Sequence, residues 1–344
     1  MQQLTIGQCS FLSFKTPFLK PFTFAGHEIT ERNGFYLTLQ TSGGLNAQGE
    51  AAPLEGFSPE TIRRAKHDLA ETCSYLKEFN VPRQKDELLE VLRHDGHILN
   101  LCASVRFSVE SAILLLAAQA AGKSLAEFLG AQLKDVRTAV LLQGTYQDVM
   151  ADVKRFSQQV PQVFKLKVGD RNIALDVKKV QDIRALLDNE SYLRLDANRV
   201  WSLKEACVFA ELAGNQKIDF IEEPVNDPAQ LGAFYEKTHM RMALDETLVP
   251  GCCSLPLAQH EGIVAYVLKP MLLGVVPVLD WIKEAGLSRR KAIVSSAFES
   301  PVGFRVLAHL ACLAGQVAGL GTERWFKNPI MGEIGVIKKE FLIL

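Results

Sequence analysis

The chain has 344 residues, with 38 basic and 39 acidic side chains and a formal net charge of -1. Hydrophobic residues make up 48% and charged residues 22%, so the chain can bury a sizeable core without staples, and its charge calls for neither nucleic acid nor an anionic membrane as partner. Its 7 cysteines are odd in number and form no CxxC pair, which argues against a zinc knuckle or a thioredoxin-like motif.

Cys252 and Cys253 are adjacent and the other cysteines are scattered, a usage expected of small buried side chains in a reducing compartment. The opening stretch MQQLTIGQCSFLSF has no basic segment followed by an apolar one, so it reads as a strand rather than a targeting peptide. The longest apolar stretch, Ala112 to Ala121, is too short for a bilayer. A cytoplasmic location is expected.

Leu4 to Phe14 and Phe35 to Leu39 have strand composition, and Ser42-Gly43-Gly44 reads as a turn before a returning strand. Pro59 to about Leu92 mixes charged and apolar residues at helical spacing. The first hundred or so residues are therefore expected to form a small α+β domain, with a boundary between residues 105 and 106.

Beyond that point the rhythm changes. Phe107 to Leu129 is strongly apolar and reads as one helix, and Thr138 to Leu142 as a short strand. Strands and helices then alternate. Val163 to Val168 is a strand, and Ala174 to Leu187 a helix with Val177, Val180 and Ile183 on one stripe. Tyr192 to Leu195 is a strand, and Ser202 starts a helix with Glu205 placed for a capping box. Ile218 to Ile221 is a strand, and Asp227-Pro228 has the form of an N-cap followed by an N1 proline. Met242 to Leu244, Val264 to Leu268 and Ala292 to Val294 are further strands, with helices at Val278 to Glu284 and Val302 to Ala318. No glycine fingerprint for a nucleotide follows any strand: Gly169 stands alone and Gly43-Gly44 lies in a turn. The number of βα units favours a (β/α) barrel; an open doubly wound sheet is the alternative.

The chemistry gathers at the strand ends. They carry in turn Lys165 and Lys167, then Asp196 followed by Asn198, then Glu222-Glu223-Pro224, Asp245-Glu246, Lys269-Pro270 and Ser295-Ser296. A charge in an apolar strand is costly unless it is paired or binds a metal. Any one of these residues could form a salt bridge at a barrel rim, but the C-terminal ends of barrel strands converge on one face. Three carboxylates without His or Cys fit a hard divalent cation, Mg²⁺ or Mn²⁺. Lys165 and Lys167 are two residues apart and so share a strand face. A lysine beside other cations can have its pKa lowered, as a general base requires. A scaffold whose acidic strand ends bind no metal is the non-enzymatic alternative.

Several segments, taken together, resemble the enolase superfamily and, within it, the o-succinylbenzoate synthase family of menaquinone and phylloquinone biosynthesis. They are FKLKVG at 164–169, LDANRVW at 195–201, IEEP at 221–224, ALDE at 243–246, LKP at 268–270, SSAFES at 295–300 and GLGT at 319–322, with GEAAPLEGFS at 49–58 before them. The resemblance implies a (β/α)₇β barrel over 106–319 and an α+β capping domain of residues 1–105, completed by the tail 320–344. It implies Lys167 as the acid/base, with Lys269 on the opposite face of the substrate. Asp196, Glu222 and Asp245 would be the metal ligands, and Lys165, Asn198 and Glu246 supporting groups; whether Lys165 takes part in the chemistry is left open. Ser295 and Ser296 would lie by the substrate carboxylate. Glu223 reads as a neighbour facing away from Glu222, and Glu110, where relatives often carry aspartate, as structural. The reaction implied is a metal-dependent dehydration of a small-molecule carboxylate, with N-acylamino acid racemase or dipeptide epimerase activity as the alternative within the superfamily. No nucleic acid or membrane partner is expected, and the sequence leaves the oligomeric state open.

Overall fold

A computed structural model describes residues 4–24, 27–54, 56–157, 162–169, 172–249, 258–327, 336–338 and 342. Glu55, the Cys252-Cys253 pair and much of the tail lie outside the described residues. The chain divides into two compact units: Met1–Val136 with Lys269–Lys283 and Val294–Leu344, and Arg137–Leu268 with Glu284–Ile293.

The first unit opens with an antiparallel sheet of β1 (Ile6–Phe24), β2 (His27–Thr41) and β3 (Asn46–Ala51), in that order. Both leading strands run further than their composition predicts. β1 continues past Pro17 with a register shift between Pro17 and Phe22. Among the described residues its other side there meets one isolated bridge, Phe18 to Phe326, rather than a continuous strand, so prolines that cannot donate are tolerated. Phe35, Leu37 and Leu39 on β2 are buried, as are Ala47 and Ala51 on β3, giving the alternation of a half-covered sheet.

The segment read as helical from Pro59 to about Leu92 holds two helices, α1 (Ile62–Tyr75) and α2 (Lys85–His94), with a break between them. Between them the backbone pairs with β1 instead, through Glu78 N–H to the Ile6 carbonyl and Val81 N–H to the Leu4 carbonyl. Pro82 has no N–H to donate to a helix continuing from α1. After α3 (Gly96–Leu99), the long apolar helix is also divided, into α4 (Ala103–Ala120) and α5 (Leu125–Leu129). Gly122 takes a positive φ of 65° and Ser124 restarts the chain with a capping box to Glu127. α4 lies so close to β3 that a Cβ on Gly49 would sit 1.9 Å from the Ser108 carbonyl oxygen. Among the described residues α4 is the one helix long and apolar enough to cross a membrane, yet 72% of that window is buried within the protein. The described cysteines are free, and only Cys312 is fully buried; Cys9, Cys73, Cys102 and Cys207 are half-buried.

After β4 (Val136–Arg137) come β5 (Val140–Leu142), α6 (Tyr146–Phe156), β6 (Val163–Lys167), α7 (Ile173–Leu186) and β7 (Tyr192–Asp196). Next are α8 (Leu203–Ala213), β8 (Ile218–Glu222), α9 (Leu231–Thr238), β9 (Met242–Leu244) and β10 (Ile263–Leu268). The series ends with α10 (Pro270–Leu273), α11 (Val275–Leu287), β11 (Lys291–Val294), α12 (Pro301–Ala314) and β12 (Val336–Ile337). The expected caps are present: Ser202 and Glu205 form a capping box, and Asp227 accepts the Ala229 N–H ahead of a turn begun by Pro228. A third box, Thr145 with Asp148, starts α6, a helix the sequence reading did not place.

The seven-stranded sheet runs in the order β11-β10-β9-β8-β7-β6-β5. Each strand lies beside its predecessor in the chain, and the described pairs from β5 to β10 are parallel. A doubly wound sheet starts in its middle and reverses direction; this one never does, so the sheet curls as a barrel. The fold class is an enolase-like (β/α)₇β barrel with an α+β capping domain. Phe220, Ala243, Ala265, Val267 and Ile293 form the buried cluster at the strands' core, with Val264 packed against it.

Candidate metal centre and catalytic site

Strand register brings the acidic ends level. Lys167 on β6 lies opposite Asp196 on β7, Asp196 opposite Glu222 on β8, and Glu222 opposite Ala243 on β9. Side chains alternate along a strand, so Glu222 shares a face with Phe220, and Asp245, just past β9, shares one with Ala243. Phe220 and Ala243 belong to the buried cluster, which places the carboxylates at the end of the apolar core.

Asp196, Glu222 and Asp245 each offer one oxygen, and these atoms lie within 4.8 Å of one another with all three residues buried. The Lys165 ammonium lies 2.9 Å from Asp196 Oδ2 and 2.5 Å from Glu222 Oε2. Burial disfavours its charge, but the carboxylates of Asp196, Glu222 and Asp245 outweigh burial and raise its pKa. Glu222 also titrates high, pushed up to about 8. Burial is the largest cause, and Asp196 and Asp245 add to it against the pull of Lys165. A lysine–glutamate pair alone would lower the glutamate; here one ammonium faces three buried acids. The cluster is short of positive charge, and its donors are all hard oxygens. It therefore fits a divalent cation of the Mg²⁺ kind.

Lys167 is exposed and shares the strand face of Lys165. Asn198 turns back on the triad: its N–H donates to Asp196 Oδ1 at 3.1 Å and its side-chain amide to Glu246 Oε1 at 3.0 Å. This geometry needs a left-handed turn, with φ 42° at Asn198 and 59° at Arg199; asparagine tolerates that conformation better than most residues.

Glu223 does not join the triad. Its fully buried carboxylate accepts the N–H groups of Asp245 at 2.9 Å and Thr247 at 2.8 Å, the Thr247 hydroxyl at 2.8 Å and Arg199 Nε at 3.0 Å. Arg199 also donates to the Thr247 hydroxyl. Glu223 thus fixes the backbone on which Asp245 stands. Neither Arg199 nor Thr247 was singled out by the sequence, because their role depends on the left-handed turn and on a partner from another strand. Glu223→Ala should cost about 2–4 kcal/mol of stability by leaving buried donors unmet. It should also weaken Mg²⁺ binding measured calorimetrically. Unchanged denaturation midpoint and metal affinity would show that this network does not hold Asp245.

Lys269, Ser295 and Ser296 lie in the other unit. Lys269 occupies the N-cap position of α10, its carbonyl accepting the N–H groups of Leu272 and Leu273. Its ammonium lies 4.4 Å from the centroid of the Phe57 ring. The SSAFES and GLGT segments meet: Ser295 bridges to Gly319, and Thr322 donates to the Ser296 hydroxyl at 2.8 Å. That hydroxyl donates in turn to Glu299 Oε2 at 2.6 Å and accepts the Phe298 N–H at 2.9 Å. A Cβ on Gly319 would come 2.6 Å from Ser295 Oγ, so the close approach requires glycine.

Glu299 was quoted within its motif but given no role. It is buried, it accepts the Ala297 N–H, and its pKa is pushed up to about 7, mainly by burial and further by Glu50, against the hydrogen bond from Ser296. A carboxyl raised on folding binds more protons folded than unfolded between its ordinary value of 4.5 and about 7. Its contribution to stability therefore falls as pH rises through that window and is constant above it. Wild-type protein should lose melting temperature between pH 5 and pH 8, and Glu299→Gln should flatten that dependence. Parallel profiles for the two proteins would remove Glu299 as the cause.

Residues 148–326 match the family described as Enolase C-terminal domain-like. The o-succinylbenzoate synthase of Aliivibrio fischeri is 32% identical over 310 residues, covering 88% of this chain and 86% of that protein. The o-succinylbenzoate synthase of Aliivibrio salmonicida is 31% identical over 309 residues, with 88% and 86% covered. Among solved structures, the L-Ala-D/L-Glu epimerase of Bacillus subtilis superposes with a TM-score of 0.83 at 21% identity, over 97% of this chain and 96% of that one, a likeness of fold. With its barrel sheet, its buried acidic triad and relatives matching nearly its whole length, the chain belongs to the enolase superfamily of metal-dependent enzymes and is similar, within it, to the o-succinylbenzoate synthases.

Proposed function

We propose that this enzyme dehydrates 2-succinyl-6-hydroxy-2,4-cyclohexadiene-1-carboxylate to 2-succinylbenzoate, a step of menaquinone or phylloquinone biosynthesis, in the cytoplasm. The similarity to o-succinylbenzoate synthases over 88% of the chain carries the reading. The triad with its adjoining lysines supplies the chemistry. The domains are taken as residues 1–105 with 320–344, and 106–319.

Asp196, Glu222 and Asp245 would hold Mg²⁺, or Mn²⁺ in its place, and the bound ion would supply Lewis-acid stabilisation for the negative charge that develops on the substrate carboxylate. Lys167 takes the proton α to that carboxylate. The electrons of the broken C–H bond first delocalise into the carboxylate, giving a flat anion, and then form the new ring double bond as the β carbon–oxygen bond breaks. Lys167 then returns its proton to the departing hydroxide as water, and the ring becomes aromatic. Lys165, kept cationic by Asp196 and Glu222, disfavours a second charge on Lys167. Lys269 places an ammonium on the opposite face, where charge and cation–π attraction favour the flat anion. Asn198 and Glu246 steady the acidic loops, and Ser295 with Ser296 borders the substrate carboxylate.

Lysines assigned to both faces are also what a two-base racemase of N-acylamino acids or an epimerase of dipeptides needs. A direct assay on the hydroxy-cyclohexadiene substrate, with and without chelator, separates the readings. Chelator-sensitive formation of 2-succinylbenzoate is expected. No turnover, together with deuterium exchange into a chiral N-acyl amino acid, would replace dehydration by racemisation.

A further inference from the structure

Within its own unit, Lys269 meets an aromatic ring. The 4.4 Å between its ammonium and the Phe57 centroid lies within the range at which a ring face attracts a cation. Both partners are built into fixed segments. Phe57 stands in a tight turn: its N–H and that of Ser58 both donate to the Leu54 carbonyl, at 3.0 and 2.7 Å, and Ser58 Oγ accepts the Leu54 N–H at 2.8 Å. Gly56, at φ 79°, supplies the left-handed step. Just upstream, buried Arg32 donates to the carbonyls of Ala52 and Pro53.

The lysine side is anchored in the same way. Met271 Sδ accepts the Ala52 N–H at 3.4 Å, which ties the segment after Lys269 to the one before Phe57. Glu110, fully buried on α4, accepts the N–H groups of Val275 and Val276 at 2.5 and 2.9 Å and so holds the start of α11.

We propose that Phe57 is a positioning residue for Lys269: its ring face fixes where the ammonium sits before substrate arrives. The inference rests on the reading of Lys269 as the cation facing the substrate ring. A lysine side chain is long and loses much rotamer freedom when it is fixed. A charge already held in place stabilises a developing anion without reorganising at the moment of reaction. The effect of Phe57 therefore falls on kcat more than on KM.

The test uses the full chain with Mg²⁺ and the hydroxy-cyclohexadiene substrate. Phe57→Leu should lower kcat by about fivefold to thirtyfold with KM changed by less than about twofold, the span expected of one cation–π contact. Phe57→Tyr, which keeps the ring face, should stay within about threefold of wild type. Fluorinated phenylalanines at position 57 should lower kcat stepwise as each fluorine drains the face. In a Lys269→Met background, Phe57→Leu should do nothing further. Equal loss in both backgrounds, tyrosine no better than leucine, or a flat fluorine series would reduce Phe57 to packing and overturn the proposal. A spectroscopic readout separates this from failure of the functional reading. In protein carrying ¹³C-lysine, the Lys269 ε-methylene signal, identified by its loss in Lys269→Met, should lie upfield of other lysines and move back in Phe57→Leu. That upfield signal without dehydration fails the proposed function and leaves the pairing. Dehydration without the signal fails the pairing.

Discussion

Changing Asp196 or Asp245 to asparagine, or Glu222 to glutamine, should lower dehydration turnover by about a thousandfold or more, since an ion's charge stabilisation is worth several kcal/mol in the transition state. Each change removes one of three buried acids whose oxygens lie within 4.8 Å of one another. The fold should survive. Lys165 already places an ammonium against Asp196 and Glu222, and each amide removes a buried negative charge that its neighbours repel. Circular dichroism and thermal melts should thus stay close to wild type, with calorimetric Mg²⁺ binding lost. Near wild-type turnover of all three variants in Mg²⁺-limited buffer would move the metal site elsewhere.

The second large effect separates the two lysines. Lys167→Ala removes the proposed base and should cost about a thousandfold to ten-thousandfold in kcat, at the upper end of what general acid–base catalysis contributes. Lys269→Arg keeps a cation of different shape and hydration. It should bind 2-succinylbenzoate measurably and retain more dehydration activity than Lys167→Ala. The same variant should lose any racemase side activity, because guanidinium does not give up its proton in proteins. Both reactions need measuring in both variants. Equal loss of dehydration with product affinity intact would assign Lys269 a proton-transfer role. The product-binding control is essential, because misplacing a group by about 1 Å can by itself cost a hundredfold.

Much of the fold was legible in the residues because its signals are local. Ser202 with Glu205 and Asp227 with Pro228 announce helix starts through contacts only a few residues long. The alternation of apolar runs with amphipathic ones located the strands from β6 to β11, and the charges at their ends pointed to one barrel face. Errors came where distant pairing overrode local composition. β1 ran through its prolines because it meets a continuous strand on one side only, and the helical signal after Pro59 was broken by backbone pairing with Leu4 and Ile6.

The sequence by itself singled out the residues proposed to carry the chemistry: carboxylates at Asp196, Glu222 and Asp245, lysines at 165, 167 and 269, and a strand context that makes a buried charge expensive unless it is paired or used. Only the tertiary structure decided how they work together. Register set Lys167, Asp196 and Glu222 on one level, and left-handed backbone at Asn198, Arg199 and Glu223 aimed one amide at the triad and built a separate network under Asp245. The same holds for Ser296, whose hydroxyl is committed to Glu299, Thr322 and Phe298, and for Phe57 on Lys269. Composition and periodicity report the identity and facing of a side chain along its own element. The partner it meets depends on register and backbone handedness, which are settled when separate elements pack.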